Sequence, residues 1–206
     1  MDKFLESVKF RHACKLFNGN KIPTQQFNNL LEVGRLSPSS FGMEPTRMVV
    51  VRSQSEKEKL QPLCWNQPQI STASEVIIYK SLVSDLNVPS AYLERLGRRR
   101  AATQEQLQGL FGALSSHLKA RGYVGQNVFE WGALQAYIMA TYMVAYASFL
   151  GIDTCYIEGF DKKGVEEYLG LNTQKEQVAL IVCFGYRAKP QGTHFRLDLE
   201  ELVSYK

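Results

Sequence analysis

Four short stretches of the 206-residue sequence carry groups that suit an anion or a planar ring. Basic residues stand near both ends, and arginine forks match the geometry of a phosphate. Two stretches of small residues lie between them and offer hydroxyls or backbone N–H groups. The positions are Arg11, His12 and Lys15; Pro38, Ser39 and Ser40; Glu158 and Gly159; and His194 and Arg196. Each stretch alone is equally compatible with an ordinary basic turn, loop or tail.

The standard catalytic motifs are missing from the sequence. It contains no G-x-G-x-x-G after a strand, no G-x-x-x-x-G-K-[ST] and no G-x-S-x-G, so neither common nucleotide loop nor a serine elbow is predicted. The three histidines have no metal-like spacing, and the four cysteines form no C-x-x-C pair. We therefore expect no metal site and reduced thiols. No apolar leader precedes Arg11, which favours a cytoplasmic location.

Composition indicates one globular domain over residues 1–206. Hydrophobic residues make up 45% and charged residues 21% of the chain, which are ordinary values for a folded domain. A net charge of +4 is too small to suggest nucleic acid as a partner. The densest basic run, from Arg95 to Arg100, is explained by a solvated helix face or by attraction of a phosphate.

The stretch from Phe129 to Asp161 is the element that must position these groups. Its first two-thirds are apolar on every side, which predicts a long buried helix, and Gly151 ends it. A membrane span is the alternative. Gln135, Thr141 and Ser148 interrupt the stretch and no basic cluster flanks it, so we expect no membrane partner.

The rest of the chain alternates helical and extended patterns, which predicts an α+β fold with a small sheet under long helices. Helices are expected over 2–10, from Thr24 to Ser37, from Ser53 to Leu63, through a variable helical excursion over 81–128, and from Asp161 to Leu169. Strands are expected over Met48–Val51, Val76–Tyr79, Thr154–Ile157 and Val178–Phe184, a loop over Asn66–Gln69, and a tail without a docking site of its own from Arg187.

Together the stretches resemble the oxygen-insensitive flavin nitroreductase family over nearly the whole chain. The matching residues are Arg11-His12-x-x-Lys15, Leu36-Ser37-Pro38-Ser39-Ser40 followed by Pro45, Asn66, Gly151-Ile152-Asp153, Ile157-Glu158-Gly159-Phe160-Asp161, Phe184-Gly185-Tyr186-Arg187 and Arg196. The excursion over 81–128 is the part that varies within such families.

The resemblance implies a homodimer with a small, mostly antiparallel sheet and helices on both faces. The long helix would pack in the dimer core, and the C-terminal tail would reach onto the partner. One FMN per protomer would lie at the interface, with NADPH or NADH as co-substrate. Hydride would pass through flavin N5 to small aromatic acceptors, nitroaromatics or quinones, in two half-reactions. A flavin reductase, a dehalogenase-like enzyme, and a flavin-binding redox protein without turnover remain alternatives.

The resemblance also implies roles for individual residues. Phosphate and ring-edge contacts would come from Arg11, His12, Lys15, His194 and Arg196, and ring contacts from Asn66, Gln69 and the backbone of Glu158 and Gly159. The other subunit would supply Pro38, Ser39 and Ser40. Lys15 would tune the flavin, since an ammonium near N1 stabilises its reduced anion. Four positions depart from the family pattern: Ala13, Gln69 and His194, which reduce positive charge or phosphate bonding, and Thr46 in place of a tryptophan.

Overall fold

The structure is a computed structural model that describes residues 2–99 and 103–206. Arg100, the last residue of the basic run, lies outside these ranges. The helices are α1 (Lys3–Phe10), α2 (Thr24–Leu36), α3 (Gln54–Leu63), α4 (Pro68–Thr72), α5 (Ala91–Gly97), α6 (Gln104–Ala120), α7 (Val128–Phe149), α8 (Lys162–Tyr168) and α9 (Leu199–Leu202). The strands are β1 (Thr46–Val51), β2 (Glu75–Leu82), β3 (Asp153–Ile157) and β4 (Glu176–Gly185).

The four strands form one sheet in the order β1-β2-β4-β3, and each neighbouring pair is antiparallel. The strand positions predicted from the sequence are confirmed, with one to three extra residues at several of their ends. Cys155 of β3 lies opposite Cys183 of β4. Among the described residues, one isolated parallel bridge joins Ala13 to Thr154 of β3. The predicted small antiparallel sheet with helices is therefore confirmed.

Alternate side chains of β4 belong to two different layers of the core, because successive strand residues face opposite sides of a sheet. One layer contains Leu180 and Val182 with residues of α2 and α7. The other contains Ile181 and Cys183 with residues of α3 and α8. Helices thus cover both faces, and this two-sided burial explains why β4 reads as a continuous apolar run.

Helix α7 crosses the sheet and contacts all four strands. It approaches β2 closely at Gly132, where a Cβ atom would lie 1.9 Å from Ser81 Oγ. The predicted long central helix is confirmed, and within this chain it is not covered on every side. Leu134, Tyr142 and Phe149 are each about half exposed, at 53%, 49% and 51%. One apolar face of α7 therefore remains uncovered by its own protomer.

Local sequence signals place most helix ends correctly. Helix α2 begins after Pro23 and ends before Ser37, and the Ser53 hydroxyl accepts a hydrogen bond from the Glu56 N–H at 3.3 Å. The predicted loop over Asn66–Gln69 is wrong in its second half, because helix α4 begins at Pro68. Proline is favourable in the first turn of a helix, where no N–H partner is needed. Gln69 consequently lies inside a helix and is buried.

The excursion and the tail differ in how they pack. Leu93, Leu114 and Trp131 share a third buried cluster that joins α5 and α6 to the start of α7. The tail after Arg187 contains only the short α9, and its apolar side chains are exposed, with Phe195 at 82% and Tyr205 at 92%.

Among the described helices, none combines the length and the apolar character needed to cross a bilayer.

Candidate functional site

The N-terminal basic residues lie beside strand β3. Cys14 N–H donates to Thr154 O at 3.0 Å, and Phe17 bridges to Arg187, so residues 11–17 are held along the end of the sheet. A cavity of about 210 Å³ opens there. It is lined by His12, Ala13, Cys14, Lys15, Leu16, Arg187, Lys189 and Pro190. The structure therefore brings together basic residues from the two ends of the sequence.

Asp153 fixes the wall of this cavity. Its buried carboxylate accepts hydrogen bonds from the backbone N–H and from Nε of Arg187, at 2.8 and 2.9 Å, and it lies 2.6 Å from Arg187 Nη2. His12 Nδ1 is 3.5 Å from Asp153 Oδ1 and has no hydrogen-bond partner among the described residues. Burial and the Arg187 guanidinium lower the pKa of His12. His12 is therefore a neutral ring at pH 7. Its place between Arg11 and Lys15 suggested a positive charge, which the structure does not give it.

Lys15 and Gln69 meet at one thiol. Lys15 Nζ lies 3.8 Å and Gln69 Nε2 lies 3.9 Å from Cys155 Sγ. Burial raises the pKa of Cys155, although Lys15 opposes the shift, so the thiol is protonated and neutral. Within the described part of the chain, neither Lys15 nor Arg11 has a carboxylate oxygen within 4.0 Å. Both cations are therefore available to an anionic ligand.

Gly159 is joined to the start of α4. Gln67 Nε2 donates to Gly159 O at 2.8 Å, and Gln67 Oε1 accepts from Gln69 Nε2 at 3.0 Å. A Cβ on Gly159 would lie 2.6 Å from the ring of Trp65, which explains the glycine. Trp65 and Asn66 both adopt left-handed backbone angles, with φ of 53° and 54°. Strain of this kind is concentrated at functional sites.

Glu158 is tied to the central helix by Tyr137. The Tyr137 hydroxyl donates to Glu158 Oε1 at 2.6 Å, and burial together with the Glu158 carboxylate raises the pKa of Tyr137. One turn further along α7, Thr141 Oγ1 lies 3.2 Å from the Tyr156 hydroxyl. Two hydrogen bonds thus join α7 to the C-terminal end of β3.

Pro38, Ser39 and Ser40 lie elsewhere in the protomer. Ser40 N–H donates to Gln135 Oε1 at 2.8 Å, and a cavity of about 250 Å³ opens there beside β1. β1 and β3 form opposite edges of the sheet, roughly 14 Å apart at about 4.8 Å per strand. Gln135 and Tyr137 also point about 200° apart around α7. One chain therefore does not unite these serines with Lys15.

The two C-terminal candidates differ in their surroundings. His194 contacts Gln191, whose side-chain oxygen accepts from Arg187 Nη1 at 3.1 Å, so His194 is linked to the cavity through Arg187. Arg196 is exposed and donates to its neighbour Phe195 O. Asn66 is also exposed, and Gln61 Nε2 donates to its carbonyl at 3.3 Å. The chain brings Arg11, His12, Lys15, Gln69, Glu158, Gly159 and His194 together around β3, whereas Asn66 and Arg196 are exposed.

The residues missed by sequence reasoning are those that support the site. Asp153 and Arg187 stand within matched motifs but received no role. The available signal for Asp153 was an acidic residue between the apolar helix that ends at Gly151 and an apolar strand, a place where a carboxylate needs a partner. Gln67, Gln135, Tyr137 and Cys155 carried no sequence signal, because each acts through a partner distant in the chain. Across the described residues, no group of three or more metal-ligating side chains could hold a metal ion.

An anionic, planar cofactor fits this donor set. The cavity supplies unpaired cations and an unbonded ring nitrogen at His12, while Gly159 allows close approach of a ligand to the backbone. Asn66 and Gln69 add amide groups that can bond a heterocycle. The charge and the donors agree with a phosphate-bearing ring system.

Comparison with known proteins gives a consistent result. The model of a family described as the nitroreductase family matches residues 8–186. A Staphylococcus haemolyticus protein named “Putative NAD(P)H nitroreductase SH0546” is 31% identical over 213 residues, covering 99% of this chain and 97% of the relative. The solved structure of a nitroreductase family protein from Streptococcus pneumoniae is 28% identical, with a TM-score of 0.80 over 98% of this chain and 100% of the other.

A third match is more distant in sequence. It is a protein from Exiguobacterium sibiricum, described as a “putative nitroreductase” in complex with FMN. The two chains are 22% identical, and the TM-score is 0.76 over 98% of this chain and 97% of the other. At this identity the similarity concerns the fold.

Proposed function

The chain belongs to the nitroreductase family, and we propose that it is an FMN-dependent NAD(P)H oxidoreductase that reduces nitroaromatic or quinone acceptors. The observation that best supports this function is that two cations, Arg11 and Lys15, lie at the β3 edge without a carboxylate partner. Arg187, by contrast, is already neutralised by Asp153. This surplus of positive charge supports an anionic cofactor at this edge.

We assign the binding roles as follows. Arg11, with His12 as a neutral donor or acceptor, holds the phosphate or ring edge, and Lys15 lies toward the part of the ring that gains negative charge. Gln69 and Asn66 bond the pyrimidine side, and the backbone of Glu158 and Gly159 faces the reactive edge. When bound, FMN supplies the hydride chemistry, in one half-reaction with NAD(P)H and in a second with the acceptor.

The site requires two chains. Pro38, Ser39 and Ser40 lie at the opposite sheet edge from Lys15, and Arg196 lies on an exposed tail. A homodimer supplies the loop of Pro38, Ser39 and Ser40 from a second copy, and it also covers the apolar face of α7. The proposed enzyme is therefore a dimer with two composite sites, each made from one protomer's β3 edge and its partner's serine loop.

The acceptor side of the proposal rests on Trp65. Its indole is 70% exposed although the chain holds it against Gly159 in a strained backbone conformation. An exposed aromatic face beside the reactive edge favours planar acceptors, because aromatic rings gain from offset stacking. This supports nitroaromatics and quinones over aliphatic substrates.

The test begins with the visible spectrum of the purified protein and with identification of the flavin released by heating. We expect FMN and no FAD. NADH and NADPH oxidation is then followed with a nitroaromatic and with a quinone. Bound FMN without acceptor-dependent oxidation would identify a flavin-binding protein without turnover. A colourless protein that does not bind added FMN would refute the proposal.

As a residue-level check, Arg196→Ala is expected to weaken FMN binding by roughly 1.5–3 kcal/mol, the range for a hydrogen bond to a charged group. Arg98→Ala, which removes an exposed arginine that pairs with Glu94, is the matched control. Unchanged FMN affinity in the Arg196 variant would exclude that residue from the site.

A further inference from the structure

A second basic cavity lies apart from the proposed flavin site and shares no residue with it. Its volume is about 210 Å³, which exceeds the ~30 Å³ share of one water molecule. It lies between the loop before α2, the start of α3 and the end of α4. The polar side chains that line it are Asn18, Lys21, Gln54, Lys57, Ser71 and Thr72.

Lys57 gives this cavity its chemical character. The side chain is fully buried on α3, at 1% exposure, and lysine is almost never buried without a charged partner. Its ammonium has three N–H donors. Lys57 Nζ donates one hydrogen bond, to Ala73 O at 2.5 Å. No other acceptor for this ammonium is found within residues 2–99 and 103–206. The remaining donor capacity is unused.

Lys21 adds a second positive charge at the same place. Its ammonium adjoins that of Lys57, and burial together with this facing charge lowers the pKa of Lys57 to about 8. Across the described chain, neither lysine has a carboxylate oxygen within 4.0 Å. The nearby Glu75 is paired with Arg52 at 3.3 Å. The Glu75 carboxylate, which favours the charged form of Lys57, is therefore shared with Arg52.

We propose that the cavity between Lys21 and Lys57 is a binding site for a small oxyanion of the phosphate type, separate from the cofactor site. An oxyanion placed between the two ammonium groups would accept from both and replace their repulsion with attraction. The Ser71 hydroxyl and the Gln54 amide lie in the same lining and can complete its shell. The ligand is free phosphate or the phosphate group of a small ester.

Binding at this cavity acts on the fold through Ala73 and Thr72. Thr72 Oγ1 accepts from Phe17 N–H at 3.2 Å, and Ser74 Oγ accepts from Ile22 N–H at 2.8 Å. These bonds fasten residues 17–22 to the end of α4. An anion that draws Lys21 toward Lys57 would hold the same two segments together, so phosphate should stabilise the folded protein.

The experiment titrates the FMN-saturated protein with inorganic phosphate and, separately, with glycerol 3-phosphate. Chloride keeps the ionic strength constant, and binding is measured by calorimetry and by the unfolding midpoint. We expect saturable binding and a rise in the midpoint. Binding of the ester alone would identify a phosphorylated metabolite as the ligand; binding of inorganic phosphate would identify the free anion.

Three variants locate the site. Lys21→Gln, at an exposed position, should weaken binding at least ~10-fold while the protein stays folded. Lys57→Met, which keeps the side-chain length in the core, should abolish binding. Lys59→Gln, an exposed lysine of the same helix that pairs with Glu56, should leave binding unchanged. No saturable binding, or binding that Lys21→Gln leaves intact, would overturn the proposal.

Discussion

At the scale of single residues, Lys15 is unusual because its ammonium faces a neutral thiol where a carboxylate would be common. A charge pair ~4 Å apart at an effective dielectric of about 20 interacts by about 4 kcal/mol before desolvation is subtracted. We therefore expect Lys15 to favour reduced FMN by a net ~1–2 kcal/mol, or roughly 20–40 mV for a two-electron couple. Gln69 is uncharged, so the residue beside Lys15 at the Cys155 thiol does not compensate for its loss.

Lys15→Met should accordingly lower the two-electron potential of bound FMN by this amount and slow its reduction by NAD(P)H. Lys9→Met, at an exposed lysine paired with Glu6, is the control and should change neither. If FMN is released while the potential of the remaining holoprotein stays constant, Lys15 retains the cofactor without tuning it.

Gly159 is the position where one methyl group should matter most. Its Cβ would lie 2.6 Å from the Trp65 ring, so Gly159→Ala must displace the indole or the end of β3. We expect weaker FMN binding and slower acceptor reduction. Gly109→Ala, whose Cβ would meet nothing within 4 Å, should behave like the parent.

The double variant Gly159→Ala with Trp65→Ala separates the two causes. Removing the indole makes room for the methyl group, so FMN affinity should recover relative to the single Gly159 variant. Affinity that stays low in the double variant would show that the methyl group obstructs the cofactor itself.

At the scale of elements, α7 and β3 are joined by a matched pair of contacts. Tyr137 and Thr141 are four residues apart on the helix, a rise of about 6 Å, and their partners Glu158 and Tyr156 are two residues apart, about 6.6 Å in a strand. The two spacings match. The helix therefore sets the position of the Glu158–Gly159 backbone.

Tyr137→Phe removes one of these contacts and leaves the ring in place. The bond lies near the surface, so its loss should cost about 0.5–1.5 kcal/mol. We expect acceptor reduction to slow by up to ~10-fold and the unfolding midpoint to fall by about 1–6 °C. Tyr168→Phe, which removes an equivalent hydrogen bond from a tyrosine hydroxyl to Glu56 away from the site, is the control. Equal activity in both variants would show that Tyr137 does not position the site.

Sequence reasoning located the elements because their ends depend on local chemistry. Pro23 with Thr24 and Ser53 with Glu56 act within four residues, and a continuous apolar run identifies β4. The electrostatic state of the site depends on distant pairs. The neutrality of His12 arises from burial and from Arg187, far along the chain, and the thiol beside Lys15 comes from β3. Composition alone does not predict which face of α7 is exposed in the single chain, because it cannot distinguish burial by the same chain from burial by a second one.

At the scale of the whole molecule, the exposed apolar residues are not scattered. A groove of about 480 Å³ runs between the first helices and α7, lined by Phe4, Val33, Thr141, Tyr142, Ala145, Tyr146 and Phe149. Leu134 lies on the same helix, and the tail offers further exposed apolar side chains. Surfaces of this kind mark protein contacts. The expected occupant is a second copy of the chain.

Phe149→Asp should therefore shift the protein from dimer to monomer, because a charge cannot be buried there without a partner. We expect loss of FMN with the dimer, measured by sedimentation and by the visible spectrum. Val124→Asp, at a similarly exposed position in the turn before α7, should remain dimeric. A flavin-loaded monomer at micromolar concentration would contradict the dimer.

The placement of Ser40 and Lys15 at opposite edges of the sheet has a genetic consequence. Each proposed site draws on both chains, so a defect in the serine loop and a defect at Lys15 damage different halves of it. When the two defective chains pair, one site collects both faults and the other is made only of intact parts. Two alleles that are each inactive alone should therefore complement one another in the same cell, whereas two alleles altered at the β3 edge should not.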